Sequence, residues 1–341
     1  MEFRNYLVYK IKEVGVIMKQ IMANENQAGQ RLDKLLLKIL NKAPKSFIYK
    51  MLRKKNIILN GKKAEGSEIV QPEDEIRLYL SDETIEKFST RVETTIAKYD
   101  LDIIYEDRNI LIINKPAGVL SQKATQSDNS MVEYVISYML FTKQITDEEL
   151  HSFKPAICNR LDRNTSGLLI AGKTLIGLQE MARILRERTL DKYYLCIVKG
   201  KLSETKKIIG YLTKDNSNNK VTISSKQSIN SDYIATQYEP LIYSTDFTLL
   251  QVKLITGKSH QIRAHLSSIG HPIIGDSKYG DKNINNIFNK KYNLKAQLLH
   301  SYRYVFPQLT GGLTNLSGKV CEASVPNVFN IIRKDLFGEN K

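Results

Sequence analysis

The stretch from Asn159 to Gly172, NRLDRNTSGLLIAG, constrains the fold more than any other, because a charged loop runs without a break into an apolar segment. Asn164, Thr165 and Ser166 carry side chains that bond their own backbone, and Gly167 tolerates unusual dihedrals. Leu168 to Ile170 then reads as a buried strand. A core must therefore surround that strand, and Asp162 sits on a loop anchored to it. Arg160 and Arg163 flank the aspartate. Cations beside a carboxylate favour its ionised form, which can act as a nucleophile rather than as a proton donor. An arbitrary Arg-x-Asp-Arg string is more simply a surface ion-pair cluster, so the rest of the chain decides between the two.

With 341 residues and 42% hydrophobic content, the chain has room for one large domain, a small one and a real core. A formal charge of +15 favours a polyanionic partner, nucleic acid first and an anionic membrane surface second. No apolar run approaches the about 18 residues that span a bilayer. The first 22 residues are interrupted by Arg4, Lys10, Lys12, Glu13 and Lys19, unlike a secretory signal, and a cytoplasmic location is expected. Cys158, Cys196 and Cys321 are too few and too scattered for a disulfide framework or a zinc site.

Residues 1 to about 17 match no motif, and Met18 looks like a more natural beginning, so residues 1–28 read as an N-terminal extension. From Arg31, Leu32, Leu35, Leu36, Ile39 and Leu40 place apolar groups on one side of a helix. A second helix is predicted from Ser46, as N-cap, to about Lys54, with Ile48, Met51 and Leu52 inward. Ile57 to Asn60 reads as a strand, Asn60-Gly61 as a tight turn and Glu75 to Leu80 as a closing strand. Residues 34 to 64 contain ten Lys or Arg and no Asp or Glu. Lys45, Lys50, Arg53, Lys54, Lys55, Lys62 and Lys63 cluster around the second helix and the turn, a face able to neutralise RNA phosphates. A lone lysine run would be a solvated face. The order helix, helix, basic LRKKNIILNGKK and final strand resembles the S4 RNA-binding domain over residues 29–81. It departs at Pro72 to Asp74, where that family more often has glycine before the Asp, which predicts a differently shaped turn.

Residues 82–98 lack a strong apolar stripe and read as a linker with a short helix. Beyond it come Asp102 to Tyr105, the strand Ile110 to Ile113 and the turn NKPAG, whose Lys115 could meet a phosphate. Met131 to Leu140 is an amphipathic helix, and Leu175, Leu178, Ala182 and Leu185 form a helical stripe. Asp191 to Gly200 alternates as a strand, with Tyr194 beside Cys196 and Val198 on one face; taken alone, Tyr194 is a buried structural tyrosine. Strands follow from Ile208 to Thr236, at Phe247 to Ile255 and at Leu298 to Phe306. In TGKSHQIRAHL, Gln261, Arg263 and His265 share one side if the backbone is extended. His260 and His265 do not have the spacing of a zinc helix, and no metal is expected.

Five segments in order, YEDRNILIINKPAG, NRLDRNTSGLLIAGKT, KYYLCIVKG, TGKSHQIRAHLSSIGHPIIGDSKYG and LLHSYRYVFP, make the chain resemble the RluA family of RNA pseudouridine synthases, in the branch with an N-terminal S4 domain. The match runs from residue 29 to about 310. It departs at Asn159, where His is common, and at Lys258-Ser259, where Arg-Thr is usual. The resemblance implies an α+β fold: a catalytic domain (99–325) with a mixed, largely antiparallel sheet and an RNA-binding cleft, a small α+β S4-like domain, and a C-terminal tail (326–341). It implies isomerisation of uridine in RNA to its C-glycoside, with Asp162 as nucleophile and no metal or cofactor. Whether that aspartate attacks the ribose or the uracil, or promotes a glycal, stays open. Tyr194 lies against the reacting base and assists proton removal; Arg263 pairs with Asp162 and keeps it ionised and aimed. Arg160 fills the place that a flipped-out nucleotide leaves. Ribosomal RNA of the large subunit is the implied substrate, with tRNA second, and a monomer is expected. Two other classes remain: a non-catalytic RNA-binding or ribosome-assembly protein, which would need no such trio, and a hydrolase, which would need a general base that the sequence does not offer.

Overall fold

The computed structural model describes residues 10–13, 16–89, 100–125, 127–147, 149–215 and 220–338. Two compact units divide the chain: Met1–Lys98, Ile136–Pro155 and Thr174–Ile176 in one, Tyr99–Val135, Ala156–Lys173 and Gly177–Lys341 in the other.

In the first unit, β1 (Lys10–Glu13), β2 (Val16–Met22), β3 (Ile57–Leu59), β4 (Lys62–Lys63) and β5 (Glu75–Tyr79) form an antiparallel sheet in the order β1-β2-β5-β3-β4. The helices α1 (Leu32–Ile39) and α2 (Lys45–Arg53) bury the stripes that the sequence predicts, Leu32, Leu35, Leu36 and Ile39 from one and Ile48, Met51 and Leu52 from the other. Each of these large side chains contributes about 2 kcal/mol by leaving water. Four local readings change. Part of the expected extension, Val16–Met22, is a strand, held by pairing with β5 far along the chain. Ser46 lies inside α2, whose N-cap is Pro44 with no side-chain cap. Glu73 takes up a left-handed backbone (φ 69°), so the turn keeps a shape that glycine would adopt without strain. Finally, the expected linker begins with α3 (Asp82–Phe88), capped by Ser81, and its Ile85 and Phe88 pack on the core of this unit. The remainder of that linker, 90–98, lies outside the described residues.

The second unit is built on an eleven-stranded sheet among the described residues. The elements after α3, in chain order, are β6 (Ile103–Glu106), β7 (Ile110–Lys115), α4 (Met131–Phe141, of the first unit from Ile136 on), β8 (Ala156–Ile157), β9 (Ser166–Gly172), α5 (Leu175–Glu187, of the second unit from Gly177 on), β10 (Asp191–Lys199), β11 (Lys206–Asp215), β12 (Lys220–Ser224), β13 (Asp232–Tyr243), β14 (Phe247–Leu254), α6 (Gln261–Ser268), α7 (Lys282–Tyr292), β15 (Leu299–Val305), β16 (Val320–Glu322) and α8 (Asn327–Phe337). The strand order is β12-β11-β13-β14-β10-β15-β9-β7-β6, with β16 on β15 and β8 on β9. Only β9 and β15 run parallel, so the sheet is mixed and largely antiparallel as expected. Every residue of β9 is buried, which is why its sequence is a continuous apolar run.

Register across the middle of this sheet sets the site. Gly167 pairs with Ser301, and Ser301 pairs with Tyr194, so the loop that precedes β9 and the middle of β10 are separated by one strand. Gly167 makes that approach possible: its φ is +110°, and a Cβ there would stand 2.2 Å from the Ser301 carbonyl oxygen. On α5 the buried positions are Gly177, Met181 and Ile184, while Ala182 is exposed, so the helix is rotated from the predicted stripe. Gly177 explains the rotation, since a Cβ at that position would come 2.3 Å from the Asn109 carbonyl oxygen. Residues expected as a C-terminal tail instead form α8, whose Phe329 and Ile332 join Ile197, Leu249 and Phe288 in a core.

Candidate active site

Asp162 stands on the loop between β8 and β9, and neighbouring groups fix that loop on both sides of it. Ser121 Oγ donates to the Leu161 carbonyl (2.8 Å) and accepts from the Leu161 N–H (3.0 Å). The Arg163 carbonyl accepts from Gly118 N–H (2.8 Å) and from Lys115 Nζ (3.1 Å). Lys115 is fully buried, and its ammonium also donates to the carbonyls of Pro116 and Val119, each at 2.8 Å. The phosphate contact expected of Lys115 is therefore overturned, because its donors are turned inward to three carbonyls. Burial pushes its pKa down to about 7 against the opposing charge of Asp162. Asn159, where the related family commonly has His, donates to Tyr304 Oη (3.0 Å) and accepts from Ile170 N–H (2.8 Å), tying the loop to β15 and β9.

The cation at Asp162 is neither sequence neighbour. Arg160 and Arg163 are both exposed, whereas Arg263 Nη1 donates to Asp162 Oδ2 at 2.7 Å. Arg263 projects from α6, and the extended reading of Gln261, Arg263 and His265 is wrong because all of Gln261–Leu266 is buried, so no polar and apolar faces mark the helix. The other edge of the guanidinium is gripped by Asp276, with Nε to Oδ2 at 2.7 Å and Nη2 to Oδ1 at 2.9 Å. Asp276 Oδ1 also accepts from the backbone N–H groups of Lys278 (2.8 Å) and Tyr279 (3.0 Å). Burial alone would raise the Asp276 carboxyl, but the hydrogen bonds and charge of Arg263 hold it below its usual range. Burial likewise opposes the charge on Arg263, and the two carboxylates outweigh it. The Arg263 guanidinium lies over the Tyr279 ring, 5.2 Å from its centroid.

Tyr194 faces the same cleft and is buried. Burial pushes its phenol up to about 12, with the charge of Asp162 adding to the rise and hydrogen bonding to Ser301 and Tyr304 opposing it. Asp162, Tyr194 and Arg263, separated along the chain, thus line one cleft of about 790 Å³, and Arg160 lines it too. Asp276, His260 and Tyr279 complete the cluster without having been singled out from sequence. The available signal was GDSKYG, read as turns, in which the aspartate follows Arg263 by 13 residues.

In the first unit, Lys45, Lys50, Arg53, Lys54, Lys55, Lys62 and Lys63 are all exposed. On α2 they occupy the side away from the buried stripe, and Lys45 Nζ lies 5.7 Å from the Tyr49 ring centroid.

Among the described residues no helix is long and apolar enough to cross a membrane. The family model described as RNA pseudouridylate synthase matches residues 109–268, and that described as S4 domain matches residues 30–76. An uncharacterized RNA pseudouridine synthase of Mycoplasma genitalium is 31% identical over 296 residues, covering 86% of this chain and 90% of the relative. The ribosomal large subunit pseudouridine synthase C of Pasteurella multocida is 30% identical over 89% of this chain and 90% of its own length. In fold, the chain resembles human RNA pseudouridylate synthase domain containing 4, with a TM-score of 0.53 and 22% identity over 69% of this chain and 92% of that one. The chain belongs to the RNA pseudouridine synthases of the RluA family, enzymes that isomerise uridine in RNA, and it carries their S4 RNA-binding domain.

Proposed function

We propose that the enzyme converts uridine to pseudouridine in ribosomal RNA of the large subunit, with Asp162 as nucleophile on a nucleotide flipped out of its stack. The observation that carries the proposal is the charge of the cleft: its lining holds nine Lys or Arg side chains and a single carboxylate, Asp162. Such a cleft attracts a phosphodiester backbone and leaves one anionic group for chemistry. The name of the Pasteurella relative supports the ribosomal substrate.

In the reaction the N1–C1′ bond of the nucleoside breaks, a C5–C1′ bond forms, a proton leaves C5 and one is gained at N1, so no atom is added or lost overall. Arg263 holds Asp162 through Oδ2, while Oδ1 accepts no hydrogen bond among the described residues and is the nucleophilic oxygen. Tyr194 enters as a phenol, since burial keeps it protonated at neutral pH. It therefore assists proton removal at C5 through its hydroxyl and its hydrogen-bonded neighbours and is not a standing phenolate. Flipping costs a few kcal/mol, and Arg160, exposed at the cleft, fills the vacated place in the RNA. A cytoplasmic, monomeric enzyme suits a substrate made in the cytoplasm.

Pseudouridine mapping of total RNA from cells with and without the gene tests the proposal. Loss of specific sites in large-subunit ribosomal RNA is the expected result. Loss confined to tRNA would move the substrate, and an unchanged map of every RNA would overturn the proposed activity.

A further inference from the structure

His260 is the one residue of the loop before α6 that combines a left-handed backbone (φ 54°) with a side chain turned toward Asp162. Its Nε2 lies 4.0 Å from Asp162 Oδ2, the same oxygen that Arg263 bonds, and its side chain is only 11% exposed. Its other nitrogen, Nδ1, lies 3.0 Å from Tyr279 Oη. That hydroxyl already accepts from the Val221 N–H at 2.9 Å, and a phenol has one proton to give. If the phenol proton goes to His260, both contacts are hydrogen bonds in sequence: Val221 N–H to Tyr279 Oη, Tyr279 O–H to His260 Nδ1. In that tautomer Nδ1 is the acceptor, and Nε2 carries the proton and points it at the Oδ2 edge of Asp162. The rings of His260 and Tyr279 meet edge to face at 5.7 Å, which fixes the imidazole plane.

The geometry points to His260 as a positioning residue for Asp162: held by Tyr279, its neutral Nε2–H and the Arg263 guanidinium both address Oδ2, which leaves Oδ1 as the attacking oxygen. At 4.0 Å the contact is longer than a hydrogen bond. The proposed restraint therefore belongs to the complex with RNA and requires a small rotation of the carboxylate toward Nε2. The groups that bear on the imidazole charge are Asp162 and Asp276, which favour protonation, and Arg263 and Lys278, which oppose it, with burial the largest influence and also opposed. His260 is thus neutral at neutral pH. Acid adds a second cation at Oδ2, which draws electron density away from the carboxylate and slows attack.

This inference rests on the nucleophilic role proposed for Asp162, and the test separates the two. Single-turnover rates at saturating RNA and equilibrium affinities are measured across pH for wild type, His260→Ala, His260→Gln and Tyr279→Phe. His260→Ala is expected to lower the saturating rate by about 10- to 100-fold, the scale of a misplaced reacting group, with affinity within about 2-fold of wild type. His260→Gln, whose amide N–H can reach the same edge, is expected to recover most of the rate and to lack the acid limb expected of wild type. Tyr279→Phe removes the proton donor to Nδ1 and lowers the rate in the same direction. A wild-type rate and an unchanged acid limb in His260→Ala would overturn the inference, as would a loss seen only in affinity. Nitrogen NMR of the imidazole decides independently of turnover. An Nε2–H tautomer whose titration moves to lower pH in Asp162→Asn supports the inference, and an Nδ1–H tautomer overturns it. Wild-type protein inactive on every RNA would count against the proposed function and leave the NMR result to decide the role of His260.

Discussion

Asp162 and Asp276 share the Arg263 guanidinium, and their surroundings differ in a way that divides their work. Asp276 is fully buried with both oxygens bonded, so it is committed to holding Arg263. Asp162 is 27% exposed, and Arg263 bonds only one of its oxygens, which leaves it able to react. Asp162→Asn is therefore expected to abolish isomerisation while thermal stability and RNA affinity stay near wild type, because the amide keeps the size and removes the proposed nucleophile. Turnover by pure variant comparable to wild type would refute that role. Asp276→Asn should act through the fold as well, destabilising by about 3 kcal/mol by leaving a buried guanidinium short of its partner. Because the Asp276 carboxyl is held below its ordinary 3.8, its stabilisation is present above that pH and is lost as pH falls through the lower folded value. Denaturant midpoints across the acid range should accordingly fall less steeply in Asp276→Asn than in wild type. That Asp162, Tyr194 and Arg263 meet in one cleft was legible through the family resemblance, which gives each a role. Asp276 and His260 lie in the same segment as Arg263 but carried no such signal, because an aspartate in a turn and a loop histidine become partners of Arg263 and Asp162 only when the fold turns them inward.

At the scale of elements, the sequence was most readable where one face of an element meets water. The α1 and α2 stripes have the period of a half-buried helix, and both were placed correctly. By contrast α6, with Gln261–Leu266 all buried, has no polar face to set its period, and the letters QIRAHL alternate like a strand. The rotation of α5 was hidden for a different reason: it follows from backbone contact at Gly177, and glycine carries no hydrophobic signal. Gly167 is the sharpest test of how an element positions the site. Gly167→Ala forces a Cβ against the Ser301 backbone at a left-handed φ of +110°, so β9 and β15 must separate. A cost of about 3 kcal/mol or more is expected from overpacking and backbone strain together, with a fall in the saturating rate because the loop that carries Asp162 leads directly into β9. Gly61→Ala supplies the comparison, since its φ is +72° and nothing lies within 4 Å of the added carbon. Its cost should be about 1 kcal/mol, the strain alone, without change in rate. Equal losses for the two, by chemical denaturation, would show that the close approach to Ser301 does not hold the sheet together.

For the whole molecule, the formal charge of +15 is placed in two settings that call for different tests. In the second unit, cations line the cleft around Asp162, so removing them disturbs chemistry and binding together. In the first unit, Lys50, Arg53, Lys54 and Lys55 are exposed and away from the α2 stripe that packs the core, so neutralising them leaves the fold in place. If this face meets RNA phosphates, replacing those four with Gln should weaken binding to a structured target fragment and lower the log–log salt slope by up to about 3.6, at roughly 0.7 to 0.9 for each phosphate no longer neutralised. The single-turnover rate at saturating RNA should stay unchanged, since Asp162, Tyr194 and Arg263 all belong to the second unit. Titration at several salt concentrations measures the slope, and the rate is read at the top of each curve. A slope equal to that of wild type would mean that the basic face is solvated and neutralises no phosphate. A normal slope with a collapsed saturating rate would assign these residues to building or aligning the active site instead.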